Sequence, residues 1–436
     1  MKTQVLVIGG GVGGLTVALK LARCGIDVCV IEMLKGNAAM YKGELLQPKS
    51  IQILQDLNLK KQVEAAGHKI NEIQVIEKRE KNTVYETIGC SSMNYNILNS
   101  PFDYALMIPH EKLKALLLEE AKKHASFTYI QPSRFKAFRN EKAVVDLEEK
   151  EVEIEADVFV AAEGRKSKTR EAMNIKVKEH KYDHHFLTVS FPRPEDLKEG
   201  KMISTPHTFL GLFPLPNNMV RTVYLIPQGA YKGMKEKGIS VFYEAYSELY
   251  PELADYVKHI KSWREIQLMI PVHFNADQYV KDNVVIMGDA AHSVHPMAGE
   301  GMNLAIQDGD VLGELLCWII REHADLSCLK WYEKVRKPRV HHVLHLSHMS
   351  ALAYSSPFRY FPNVRKKAIR QMTLDEKLHT KQMLNASGLG FWKESIFDRM
   401  VQIGLFPIRS NPSLSYNGYM FTEETDYPWE EGGRAR

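Results

Sequence analysis

Three separated stretches carry residue types able to hold a phosphorylated ligand and a flat ring. In Gly9-Gly10-Gly11-Val12-Gly13-Gly14 the spacing is Gly-x-Gly-x-x-Gly, and Glu32 follows 18 positions after Gly14. Gly9 permits a tight turn, Gly11 removes a side chain that would keep backbone from a pyrophosphate, and Gly14 lets the next helix pack on the strand before it. Val12 and Gly13 open that helix, whose unpaired N–H groups and partial positive charge favour an anion. Glu32, ending a second strand, can accept hydrogen bonds from ribose hydroxyls. The second stretch, Glu163-Gly164-Arg165-Lys166-Ser167-Lys168-Thr169-Arg170, follows a strand. The third runs from Gly288-Asp289-Ala290-Ala291-His292 through Pro296-Met297-Ala298-Gly299-Glu300-Gly301-Met302-Asn303. An acid directly after an apolar strand, as Asp289 is, needs polar partners such as hydroxyls. Gly299 and Gly301 flank a helix start, where backbone can approach a flat ring and the helix dipole favours negative charge on it.

The elements that must position these residues can be read from periodicity. Gln4–Ile8 and Val28–Ile31 are short apolar runs suited to strands covered on both faces, and Val12–Cys24 between them has helical spacing. Pro48 and Pro109 each stand at a helix start. Residues 70–77 and 83–88 flank a polar turn and predict a hairpin. Strands are expected at 143–147, 151–155 and 157–162, then β-rich sequence from about 176 to 275, interrupted by one helix pattern near 240–257. Asn283–Met287 predicts a buried strand and Gly301–Ile320 a long helix. Beyond about 350 the pattern is irregular, with weak helical segments.

Bulk properties limit the function classes. A chain of 436 residues can bury more than one core, and 44% hydrophobic with 25% charged residues is ordinary for a globular protein. A formal net charge of +4 is too mild to argue for nucleic acid. No apolar run spans a bilayer, and the N-terminus leads directly into a strand, so no signal peptide is expected. The five cysteines are scattered, without metal-ligand spacing or an even disulfide count, which suggests a reducing cytoplasm.

Together the three stretches resemble the single-component flavoprotein aromatic hydroxylases of the para-hydroxybenzoate hydroxylase type, with the ubiquinone-pathway hydroxylases and squalene epoxidases. The family's Asp-Gly-x-x-Ser-x-x-Arg segment is matched by Gly164, Ser167 and Arg170, with Glu163 in place of Asp. Its Gly-Asp and Pro-to-Asn segment is matched by Gly288, Asp289, Pro296, Gly299, Gly301, Met302 and Asn303. The resemblance implies that Asp289 holds the ribityl chain and that Pro296–Asn303 lies along the isoalloxazine. Gly43–Pro48 is similar to a squalene epoxidase segment near the flavin, without the Arg that many aromatic hydroxylases carry there. His110 stands where relatives often have Arg. The implied fold is α/β: a Rossmann-like FAD-binding domain (1–70, 106–175 and 276–350) interleaved with a mixed β-sheet substrate domain (71–105 and 176–275), plus a C-terminal helical region (351–436).

The implied activity is monooxygenation. NADPH or NADH reduces FAD, and one oxygen atom of O₂ passes, through a flavin C4a-hydroperoxide, to an aromatic, polycyclic or isoprenoid small molecule. A saturase-type reductase or a non-catalytic binding protein on the same scaffold is the alternative. Phe213, Arg221 and Tyr224 fall where relatives place a sheet above the flavin and are expected to meet substrate. His295 and Pro296 are expected near the reacting carbon. His341, His342, His345 and His348 recur at helical spacing but lack an acidic or cysteine partner, so no metal is expected. The aromatic and basic segment 358–370 is expected to be a solvated face, with weak membrane-surface contact as its alternative.

Overall fold

A computed structural model describes residues 1–34, 43–81, 84–352, 362–411, 419–421 and 425–429, with the side chains of 84, 298, 362–366 and 419–421 excepted. From the N-terminus, β1 (Lys2–Ile8), α1 (Val12–Arg23) and β2 (Val28–Ile31) form a strand–helix–strand unit. β3 (Gly43–Leu46) enters α2 (Pro48–Asp56), which Pro48 opens, and β4 (Glu72–Lys81) pairs with β5 (Val84–Asn94) as a hairpin. β6 (Ala105–Pro109) and α3 (His110–Ala121) lead to β7 (Phe127–Ile130), β8 (Lys150–Ala161) and the short α4 (Lys168–Ala172). Four strands then follow, β9 (His184–Pro192), β10 (Gly200–Ser204), β11 (Phe209–Leu215) and β12 (Met219–Pro227). After β13 (Gln267–Met269) and β14 (Val284–Ile286) come α5 (Gly301–Arg321) and α6 (Lys330–Leu352). The C-terminal part holds α7 (Pro362–Leu374), α8 (Glu376–Ser387) and α9 (Ile396–Gln402).

Two sheets organise these elements. In the first, β14, β8, β1, β2 and β7 lie side by side, all parallel, with the short strand Val280–Lys281 antiparallel at the β14 edge. Val5, Val7, Val28, Val30, Val158 and Val160 are buried under α1 and α5, as strands covered on both faces must be. The second sheet runs β13-β9-β12-β11-β10-β4-β5. Chain remote in sequence meets here, since β10 pairs parallel with β4, Gly200 opposite Ile73. The fold is thus the expected α/β flavoprotein class, with the three glycine-bearing stretches at the carboxyl ends of β1, β8 and β14.

Three details differ from the sequence reading. The helix expected over 240–257 stops at Leu249, because Pro251 follows and the chain continues in 3₁₀ turns. The C-terminal part is more regular than its pattern suggests. Cys24, just after α1, and Cys317, in α5, form a disulfide, because packing of these two helices brings their Cα atoms to 6.4 Å. Residues 358–361 of the basic segment, and the side chains of 362–366, lie outside the described residues. Among the described residues no helix is long and apolar enough to cross a membrane.

Candidate functional site

The ends of β1, β8 and β14 open onto one cavity of about 1200 Å³. Gly11, Val12, Gly13 and Gly14 line it at the α1 N-terminus, Gly164 beyond β8, and Gly288 and Asp289 beyond β14. A Cβ built on Gly11 would meet nothing within 4 Å, so this backbone faces open space. Gly9 and Gly14 answer to packing instead. A Cβ on Gly14 would stand 2.1 Å from the Gly9 carbonyl oxygen, and Gly9 itself has φ +114°.

Several motif residues build this cradle from behind. Glu32 accepts from the Gly10 N–H at 2.8 Å and the Leu34 N–H at 2.9 Å, which fixes the glycine turn. Glu163 accepts from the Ser167 hydroxyl at 2.6 Å and from the N–H groups of Lys168 and Thr169. It thereby caps the first turn of α4, pairing two backbone donors that have no intrahelical partner. Arg170 does not line the cavity. Its guanidinium donates to the carbonyls of Ala290 and Arg165, both at 2.9 Å, and so ties the second stretch to the third. Asn303, fully buried, has the same kind of place. Its Oδ1 accepts from the Gln47 N–H and the Ser50 hydroxyl, and its Nδ2 donates to the carbonyls of Leu45 and Gly299.

Asp289 has no hydrogen-bond partner among the described residues, and reaches solvent although protein surrounds it, because it opens into the cavity. That surrounding protein raises its pKa, while His292 and Arg165 act in the opposite sense. The turn bearing it is held by Asp308 of α5, which accepts from the Gly288 N–H at 2.9 Å and pairs with His292 at 2.7 Å and Arg336 at 2.7 Å. Those two partners keep the Asp308 carboxyl well below the usual range despite complete burial. Pro296, Gly299, Gly301 and Met302 line the next part of the cavity, beside His110, whose Nδ1 is 3.5 Å from Glu44.

The second sheet roofs the cavity with Phe186, Thr188, Phe209, Phe213, Arg221, Val223, Gln267 and Met269. Tyr224 is on the other face, packed on Tyr246 at 5.3 Å between ring centres, because side chains alternate along β12 and Arg221 takes the inner face. His295 is also turned away. It is fully buried, accepts from the Met297 N–H, and lies 2.9 Å from His184, with its pKa pushed down to about 2 by burial. Its nearest role is to hold the Pro296–Gly299 turn. Of the recurring histidines, His345 lines the cavity, His342 meets Asn385, and His348 Nδ1 is hydrogen-bonded to the Tyr182 hydroxyl at 2.9 Å.

Glu300 is a cavity residue that sequence reasoning missed. It is 5% exposed, its Oε1 has no partner, and burial raises its pKa well above the carboxylate range. Its position inside the third stretch was visible, but its burial was not. Met372 of α7, Gln382 and Asn385 of α8, and Met400 and Gln402 of α9 also line the cavity.

Residues 2–347 match the family model described as an FAD binding domain. The chain is 26% identical over 377 residues to 6-methylpretetramide 4-monooxygenase of Streptomyces rimosus, covering 84% of this chain and 88% of that protein. It is 23% identical to 3-demethoxyubiquinol 3-hydroxylase of Escherichia coli, over 72% and 79% of the two chains. Among solved structures, p-nitrophenol 4-monooxygenase PnpA from Pseudomonas putida superposes with a TM-score of 0.76 at 16% identity, over 88% of this chain and 98% of that one. PqsL of Pseudomonas aeruginosa does so with a TM-score of 0.73 at 23% identity, over 83% and 98%. The open backbone at Gly11, the unpaired Asp289 and the turn before α5 fit an FAD, and the chain belongs to the FAD-binding domain family as an FAD-dependent monooxygenase.

Proposed function

We propose that this protein hydroxylates an aromatic or polycyclic small molecule held under the second sheet, with NADPH or NADH as electron donor. The observation that carries this reading is the continuity of the cavity, which runs from the Gly11 and Asp289 cradle to a roof that carries three phenylalanines. Bound FAD, once reduced, supplies the activation of O₂. Gly11 and the α1 N-terminus would hold the pyrophosphate, and Asp289 would accept from ribityl hydroxyls. Gly299, Gly301 and Met302 would bring backbone to the ring. Phe186, Phe209 and Phe213 would orient the substrate ring and keep water out, which strengthens every polar contact in the chamber. The similarity to hydroxylases of a polycyclic and of a quinol substrate supports this substrate range. The cytoplasm, where NAD(P)H is available, is the proposed compartment. The test is a panel of phenols, quinols and polycyclic phenols incubated with the FAD-loaded protein and NADPH. Compounds that accelerate NADPH oxidation should gain one oxygen by mass; acceleration without any oxygenated product would refute the reading.

A further inference from the structure

Three buried polar residues line the cavity and touch in sequence: Tyr95, directly after β5, Gln47, directly before α2, and Glu300, directly before α5. The Tyr95 hydroxyl donates to Gln47 Oε1 at 2.9 Å. With its oxygen used in this way, the Gln47 amide has its nitrogen left to donate, and the Gln47 side chain is hydrogen-bonded to the Glu300 carboxyl. Glu300 Oε1 is buried and meets no partner among the described residues.

An ionised carboxylate at this place would need a cation, and among the described residues none offsets its burial. The group keeps its proton instead, with its pKa well above the usual carboxylate range. A protonated carboxyl has one O–H donor. Since Gln47 donates to one of its oxygens, the O–H belongs on the other, and a chain of donors runs from Tyr95 through Gln47 to an unpaired end at Glu300. A buried donor left without an acceptor is costly. In a chamber lined by phenylalanines, the acceptor that adds no further charge to bury is a carbonyl oxygen. The Tyr95 end of the chain packs in one core cluster with Ile73 of β4, Leu215 of β11 and Met383 of α8. It is thus anchored in the roof sheet and the C-terminal helices, not in the first sheet that carries the Gly11 and Asp289 cradle.

We propose that the Glu300 carboxyl is a hydrogen-bond donor to a neutral carbonyl oxygen on the substrate, with Gln47 and Tyr95 as positioning residues that fix its orientation. This rests on the reading of the cavity as the substrate chamber. It narrows the substrate to a ring system bearing a carbonyl group, favoured over the hydrocarbon of the same shape.

The test uses FAD-loaded full-length protein with 9-fluorenone, fluorene and 9-aminofluorene, which share one ring frame and differ at a single carbon. Binding is read from the flavin absorbance change and from equilibrium dialysis. Fluorenone should bind at least tenfold more tightly than fluorene. Glu300→Gln keeps a neutral donor at the same reach and should hold that preference within threefold; Glu300→Leu should abolish it, and both should retain FAD in unit ratio. The infrared stretch of the bound, ¹³C-labelled carbonyl is a readout that a merely structural role would not move. It should lie below its value in hexane in the parent and in Glu300→Gln, and return towards that value in Glu300→Leu. If Glu300→Leu does not fold, Tyr95→Phe is read instead and should weaken fluorenone more than fluorene. Equal affinities, no binding of fluorenone, an unshifted stretch in the parent, or a preference that survives in the variant read overturns the proposal. Tighter binding of 9-aminofluorene than of fluorenone also overturns it, by making Glu300 a counter-ion. So does loss of FAD from both Glu300 variants, which would assign the carboxyl to the cofactor. FAD content and NADPH-driven O₂ consumption are measured on the same wild-type preparation. If both are present without any carbonyl preference, only this inference fails; if FAD does not bind, the underlying reading fails.

Discussion

Gly11 and Gly14 lie three residues apart and obey different constraints. At Gly11 an added Cβ meets nothing within 4 Å, whereas at Gly14 it would meet the Gly9 carbonyl oxygen at 2.1 Å. Gly11→Val should therefore leave the melting temperature close to that of the parent while reducing FAD affinity tenfold or more, because the new side chain occupies ligand space. Gly14→Val should destabilise the fold by about 1–3 kcal/mol or more through overpacking. Thermal melts and FAD titrations of the two variants separate these effects; equal loss of stability in both would contradict the assignment. Asp289→Ala removes an acid that has no hydrogen-bond partner among the described residues and opens into the cavity. It should weaken FAD retention roughly tenfold, about 1.4 kcal/mol, without lowering stability. Purification of this variant with a full complement of flavin would sink the proposed ribityl contact.

At the scale of elements, α5 and α6 meet through Asp308 and Arg336, and that pair also holds the turn before Asp289. Asp308→Asn would leave Arg336 buried without its counter-ion, and should cost about 3–5 kcal/mol in urea unfolding at pH 7. The pH dependence has a definite sign. The folded-state pKa of Asp308 is depressed, so its stabilisation is fully present above an unfolded pKa of about 4 and is lost as pH falls towards the folded value. The stability gap between parent and variant should thus shrink on acidification below about pH 4; a gap that grew would contradict the pairing. The strands of the first sheet and the helix starts at Pro48 and Pro109 were legible in sequence because their signals are local: apolar runs, glycine spacing, proline at N1. The inner and outer places of Arg221 and Tyr224 were not, since alternation fixes them relative to each other, and only the register with β9 and β11 decides which faces the cavity. Glu163 and Asn303 were legible as motif members, but their partners, α4 and the 45–50 segment, come from tertiary packing.

Across the whole molecule, one cavity is assembled from both sheets and from α7, α8 and α9. Those C-terminal helices were weak in sequence because a helix lining a cavity need not show a fully apolar face. Their contribution is testable by volume: Met400→Trp should leave FAD content unchanged and lower the affinity for tricyclic ligands about tenfold, while bicyclic ligands are affected less. Uniform loss across ligand sizes would place Met400 outside the substrate chamber. The central claim is oxygen transfer from O₂ to a ring bound beneath the roof. It is tested most directly by turning over the FAD-loaded protein with NADPH and an accepted substrate under ¹⁸O₂ in ordinary water. One ¹⁸O atom per product molecule is the predicted result; unlabelled product, or reduction of the substrate with no oxygen gained, would contradict it.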